Sequence, residues 1–145
     1  MMNRSELFHL LNQKVRLFSK EMNDYLQQHN LYSSQWTILY ILLENGPMTQ
    51  TDIWKYLQVE APTITRTLTR MEKSGWIIKK LGNDKREKII LLTDEAREKL
   101  DLIQQSVQQF ENDFTTNLTT NEQQELYRLL KKLGSERNAN TNESE

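Results

Sequence analysis

Residues 61–93 read APTITRTLTRMEKSGWIIKKLGNDKREKIILLT, and the hydrophobic period changes partway along them. In the first part Ala61, Ile64, Leu68 and Met71 fall at i, i+3, i+7 and i+10, the spacing of a buried stripe on a helix. Pro62 suits the first helical position, where its missing N–H costs nothing. Ser74-Gly75 supplies the stop, glycine being favoured just beyond a helix C-terminus. In the second part residues 76–81 and 88–93 are β-rich runs flanking Gly82-Asn83-Asp84, a turn signal, and together they predict a two-stranded hairpin.

Upstream, Thr49 predicts the cap of a short helix, with Asp52 at its third position as a capping-box-like pair. Ile53, Trp54 and Leu57 form its apolar side, and Gln58-Val59-Glu60 a turn. A helix opening at Ser33 or Ser34 and running to Glu44 is apolar almost all round, which predicts a central, buried element stopped by Asn45-Gly46-Pro47. From Ser5, a plausible N-cap, to about His29, apolar residues recur at three- and four-residue steps and predict an amphipathic helix. Short helix, turn, second helix and hairpin is the order of a winged helix-turn-helix, with residues 61–74 in the place of the recognition helix.

Downstream, Thr93 predicts the cap of a long fifth helix whose first turn carries Asp94 and Glu95 at the positive dipole end. A sixth begins at Thr119, with Glu122 completing a capping box, and holds Leu126, Leu129, Leu130 and Leu133. Leu100, Ile103, Val107, Phe110 and Phe114 form a narrow seam on the fifth helix. That helix, about two dozen residues, would be ~36 Å long, more than a small winged domain can cover. Either a second subunit or an intramolecular helical hairpin could bury the remainder. The expected organisation is an N-terminal dimerisation helix in residues 1–30 and a winged helix-turn-helix DNA-binding domain in 31–93. C-terminal dimerisation helices fill 94–134, and a disordered tail 135–145. The fold class is mostly α, with a two-stranded wing.

The 145 residues suffice for one domain, or a small domain with an added oligomerisation element. Zero cysteines exclude a disulfide framework, a thiolate metal site and a cysteine redox switch. No apolar run approaches a membrane span, and MMNRSELFHLL does not read as a signal peptide, so a cytoplasmic protein with no membrane partner is expected. The net charge of −1 hides an uneven distribution: residues 66–88 carry +5, residues 1–65 carry −1 and residues 94–145 carry −5. A basic middle fits a nucleic-acid contact, although solvated helix faces also produce such blocks.

Opposite the buried stripe of residues 61–74 lie Pro62, Thr63, Arg66, Thr67, Thr69, Arg70 and Lys73. Threonine can hydrogen-bond base edges or pack its methyl on thymine; arginine can take guanine bidentately or clamp a phosphate. The alternative is a solvated face. At the hairpin tip Arg86 could enter a narrow minor groove, where the negative potential is enhanced. Asp84 is expected to orient its guanidinium through a charge-assisted hydrogen bond, unless the two form only an exposed ion pair. Lys79, Lys80, Lys85 and Lys88 would touch phosphates. His9 and His29 have no carboxylate partners at metal-ligand spacing, and no nucleophile elbow, phosphate loop or paired-carboxylate motif occurs. No catalytic residue, metal or cofactor is expected. Trp36, Tyr40 and Trp54 could line an effector cleft, but aromatics at helical spacing are read as core.

Asp84-x-Arg86 followed by Leu92-Thr93, together with Thr49-Gln50, Thr65-Arg66 and residues 70–77 (RMEKSGWI), resembles the multiple-antibiotic-resistance regulator (MarR) family of bacterial transcription factors. The resemblance covers about residues 5–135. It implies a homodimer on pseudo-palindromic double-stranded DNA, with recognition helices in successive major grooves and wings in flanking minor grooves. It also implies release of DNA by a small anionic or aromatic effector entering a cleft between dimerisation helices and DNA-binding lobe. Ala96 stands where glycine is frequent and Pro62 where serine is frequent; the second change alters what the first recognition turn can donate. The family's thiol-sensing branch needs a cysteine and is excluded. The expected function is therefore a sequence-specific regulator, and a repressor rather than an activator. Pro62, Thr63, Thr65, Arg66 and Arg70 would meet the major groove and adjacent phosphates. The competing reading is a winged-helix protein-interaction module whose basic face meets an acidic protein.

Overall fold

The computed structural model of the protein describes residues 1–84 and 86–135. The expected wing residue Lys85 and nearly all of the expected disordered tail, residues 136–145, lie outside the described residues. In chain order the elements are α1 (Arg4–Leu26), a 3-10 turn (Gln27–His29), α2 (Ser33–Asn45), β1 (Met48–Thr49), α3 (Gln50–Leu57), α4 (Ala61–Lys73), β2 (Ile77–Leu81), β3 (Lys88–Leu92), α5 (Asp94–Phe114) and α6 (Thr120–Lys132). This is the expected mostly helical winged helix-turn-helix. The first compact unit runs Met1–Phe110; the second begins at Glu111 and carries α6. No helix among the described residues is long and apolar enough to cross a membrane.

The caps explain the boundaries. The N-cap of α1 is Asn3 rather than the expected Ser5: its side chain accepts the Glu6 N–H at 2.8 Å, and the Glu6 carboxylate accepts the Asn3 N–H at 3.3 Å. That reciprocal pair satisfies two free donors at once, and leaves Ser5 inside the helix. Thr49 and Thr119 cap α3 and α6 as expected, the second in a full capping box with Glu122. Pro62 sits in the first turn of α4, at the second helical position rather than the first.

At the end of α4 the Trp76 N–H reaches the Met71 carbonyl at 2.9 Å and the Gly75 N–H the Glu72 carbonyl at 3.1 Å. This paired arrangement needs the left-handed φ of 84° that Gly75 adopts without steric cost. It turns the chain sharply from α4 into β2.

The hairpin is the outer part of a three-stranded antiparallel sheet of order β1-β3-β2. Ile77 pairs with Leu92 and Leu81 with Lys88, while Met48 and Thr49 pair with Ile90 and Ile89. Strand β1 was not expected, because two residues carry no readable period. It ties the start of α3 to the wing.

The core joins α2, Ile53 of α3, the α4 stripe and Ile90 of β3. Burial of Leu68 alone contributes about 2 kcal/mol. Helix α2 is central, as expected, but not covered all round: Thr37, Tyr40 and Glu44, three and four residues apart, form an exposed strip. Trp36 is therefore core, and Tyr40, at 43% exposure, is not.

The α5 seam is largely filled by its own chain. Leu100, Ile103, Val107 and Phe110 are buried, with the Phe110 ring 5.5 Å from Phe18 and 5.8 Å from Tyr25 of α1. The seam thus gives no separate argument for a partner subunit. Apolar residues still open to solvent include Leu7, Phe8 and Leu10 on the first turns of α1, Leu102 on α5 outside the seam, and Leu126, Leu129 and Leu130 on α6.

Candidate nucleic-acid interface

With Ile64, Leu68 and Met71 fixed in the core, the opposite side of α4 must face outward. Pro62, Thr63, Thr65, Arg66 and Arg70 are all exposed on it. Ala61, expected to extend the buried stripe, is exposed as well, because the chain enters α4 from outside the core.

The threonine hydroxyls are mostly committed to the protein. Thr65 Oγ1 donates to the Ala61 carbonyl at 3.0 Å, Thr67 to Thr63 at 3.0 Å and Thr69 to Thr65 at 2.8 Å. Such back-bonding to the preceding turn spends each hydroxyl proton. Thr65 also accepts from Gln50 Nε2 at 2.7 Å, and Thr69 from Lys79 Nζ at 3.4 Å. Among the described residues Thr63 alone of these four has a hydroxyl with no side-chain hydrogen bond.

Between α3, α4 and the wing lies a cleft of about 360 Å³. It brings together Thr65, Arg86, Lys79 and Lys88 from the expected set, three cations with Glu87 beside the exposed side of α4. Trp54, expected in the core, is half-buried and lines this cleft with Gln50. An amphipathic α3 gives Trp54 an apolar side to stand on but does not say that the side ends at a cleft. Gln50 entered the sequence reading only within the Thr49-Gln50 pair of the family resemblance and carried no expected contact, since its partner is not known until the facing helix is.

Other expected contacts are placed apart. Arg70 lines a separate recess of about 240 Å³ with Thr67, Asn23, Tyr32, Ser33 and Gln35, beside the start of α2. Lys80 is exposed and is absent from the cleft. Alternation along β2 sends it to the opposite face from half-buried Lys79.

Asp84, expected to hold the Arg86 guanidinium, bonds the backbone instead. Its Oδ1 accepts the Arg86 N–H at 3.1 Å, and its carbonyl accepts the Glu87 N–H at 2.9 Å. Among the described residues it makes no ion pair with the Arg86 guanidinium. A short acidic side chain two residues before an amide satisfies that amide first, because the contact is local and orders few bonds. Among the described residues the Arg86 side chain therefore makes no ion pair, and it lines the cleft beside Glu87.

No group of three or more His, Asp or Glu side chains that could hold a metal occurs among the described residues. His29 Nε2 lies 3.2 Å from Ser106 Oγ, and burial lowers its pKa from the ordinary value. A further recess, about 340 Å³, is lined by His29, Trp76, Glu98 and Lys99, with the Lys99 ammonium 5.6 Å from the Trp76 ring centre.

Residues 31–88 match the sequence profile described as MarR family. The chain is 50% identical over 107 residues to the uncharacterized HTH-type transcriptional regulator YwoH of Bacillus subtilis, covering 74% of this chain and 78% of that protein. It is 31% identical over 106 residues to the homoprotocatechuate degradative operon repressor of Escherichia coli, covering 72% of each. Among solved structures, a cysteine-to-serine mutant of Escherichia coli MarR complexed with operator DNA superposes with a TM-score of 0.82. It is 28% identical, covering 88% of this chain and 93% of that one.

Proposed function

The chain belongs to the MarR family of transcriptional regulators, and on that premise we propose that it is a sequence-specific DNA-binding repressor acting as a homodimer on a pseudo-palindromic operator. It is a regulator and not an enzyme. The observation that carries this reading is the convergence of Arg86, Lys79 and Lys88 on the flank of the exposed α4 face. A helix of small and cationic side chains fits a major groove, while the adjoining cations meet phosphate or a minor groove.

In this proposal residues 31–93 hold the DNA-contacting domain, and the helices of residues 1–30 and 94–134 pair the subunits. Pairing sets the two copies of α4 about 34 Å apart, one turn of duplex. Pro62, Thr63, Thr65 and Arg66 face the groove and Arg70 a flanking phosphate beside α2. The Escherichia coli relative is by name an operon repressor, which favours repression. A small anionic or aromatic effector would find an aromatic face and an ammonium in the Trp76–Lys99 recess. Binding there changes operator affinity only if the recess differs between DNA-bound and free states. The working compartment is the cytoplasm.

Selection of bound duplexes from a random pool tests the reading. A repeated inverted sequence with half-sites one helical turn apart is expected, with affinity falling steeply as salt rises. Equal recovery of all sequences, or affinity indifferent to salt, would leave the acidic-protein module as the better account.

A further inference from the structure

We infer that Gln50 is a positioning residue for base recognition: by holding the Thr65 hydroxyl it leaves the Thr65 methyl group as the feature offered to DNA, selecting thymine at one position of each half-site. The role rests on α4 being the groove helix, as proposed above.

The inference follows from counting donors and acceptors. A threonine hydroxyl has one proton and two lone pairs. At Thr65 the proton goes to the Ala61 carbonyl at 3.0 Å, and one lone pair takes the Gln50 Nε2 donor at 2.7 Å. The hydroxyl thus has no proton for a base acceptor and one lone pair to spare. Donation to guanine O6 or N7, or to thymine O4, is closed to it. Its γ-methyl belongs to an exposed residue that lines the cleft. A methyl group is complementary to the C5-methyl of thymine, the one apolar feature of the major-groove edge.

Gln50 is well placed to keep this arrangement. It is the first residue of α3, fixed by the Thr49 cap, whose hydroxyl accepts the Asp52 N–H at 3.0 Å. The preceding β1 pair, Thr49 with Ile89, anchors the same point to the wing sheet. Gln50 is therefore a support held from two sides that reaches across to α4. Without it the Thr65 hydroxyl keeps only its bond to the Ala61 carbonyl, so it turns more readily toward the groove to hydrogen-bond a base, relaxing the preference.

The test combines selection from a random duplex pool with a thymine-to-uracil scan of the selected operator, since uracil lacks only the methyl. For the wild-type protein one thymine per half-site is expected to lose about fourfold in affinity on conversion to uracil, the worth of one buried methyl. Thr65→Ser keeps the hydroxyl and removes the methyl, so it should bind the thymine and uracil duplexes alike. Thr65→Val keeps a methyl and should retain the discrimination. Gln50→Ala should broaden the selected sequence at that position alone. In a Thr65→Val background Gln50→Ala should cost nothing further, because the hydroxyl through which it acts is gone. A merely structural Gln50 would instead weaken binding to every sequence, and equally in both backgrounds.

Indifference to uracil at every position overturns the inference while leaving the groove reading intact, provided Arg66→Ala still changes the selected sequence. If no duplex is enriched by any protein, both fall. Thermal melts of each variant, expected to match the wild type, separate recognition from folding.

Discussion

The Thr93 hydroxyl donates to the Gly75 carbonyl at 2.7 Å and accepts the Ala96 N–H at 3.0 Å. One side chain thus fastens the end of α4, the last strand of the wing and the first turn of α5. Thr93→Val should destabilise the protein by about 1–2 kcal/mol, through loss of the cap and an unsatisfied carbonyl. Thr93→Ser should recover most of that. Denaturant unfolding of the two variants measures it; equal stability of Val and wild type would show the hydroxyl to be idle.

Asp84 and Arg86 invite a discriminating pair of substitutions. Because Asp84 Oδ1 accepts a backbone N–H, Asp84→Asn retains an acceptor and should change operator affinity less than twofold, roughly 0.4 kcal/mol. Asp84→Ala loosens the turn and should weaken binding several-fold more. If the charge itself mattered, the two variants would be equally impaired in an electrophoretic mobility assay.

Much of this architecture is legible in the sequence, for a physical reason. Ile64, Leu68 and Met71 repeat with the helical period, and Thr49, Thr119 and Gly75 perform local tasks that few other residues can. Features decided by distant partners are not legible. Two residues of β1 have no period; whether Trp54 ends in core or cleft depends on where the wing lies. The target of Asp84 follows from competition between an amide and a guanidinium at close range. The α5 seam has the spacing of a subunit interface, and only the position of Phe18 and Tyr25 shows that its own chain fills much of it.

Arg66 and Arg86 should separate base reading from phosphate binding. Arg66→Ala is expected to cost ~1–3 kcal/mol at one operator position and little elsewhere. Arg86→Ala should weaken binding to operator and random duplex alike, and lower the salt slope by about one counterion. Both variants should melt with the wild type, since both side chains are exposed. Uniform weakening by Arg66→Ala would reassign that arginine to phosphate.

His29 predicts a pH dependence of stability with a definite sign. Its folded pKa is depressed by burial, so the unfolded chain takes up a proton more readily. Stability is then full above the ordinary histidine value and is lost as pH falls through the depressed folded value. Melts of wild type and His29→Gln between pH 8 and pH 5 should diverge, the wild type losing more on acidification. Parallel curves would exclude His29 as the source.

Helix α6 is where the proposed dimer is most exposed to refutation. Leu126, Leu129, Leu130 and Leu133 recur at three- and four-residue steps and each remains 46–48% exposed in the single chain. A helix of 13 residues is marginal by itself, even with the Thr119–Glu122 capping box, so its apolar face needs a cover. If a second copy supplies it, Leu130→Glu places an unpaired carboxylate in the interface and should shift the protein toward monomer in sedimentation. Affinity for a full operator should then fall toward that for a single half-site, because the second recognition helix no longer arrives with the first. The core residues of the first unit lie within Met1–Phe110, so the helical circular dichroism should largely persist. A Leu130→Glu protein that stays dimeric and keeps operator affinity would remove α6 from the pairing and leave the exposed residues of α1 to account for it.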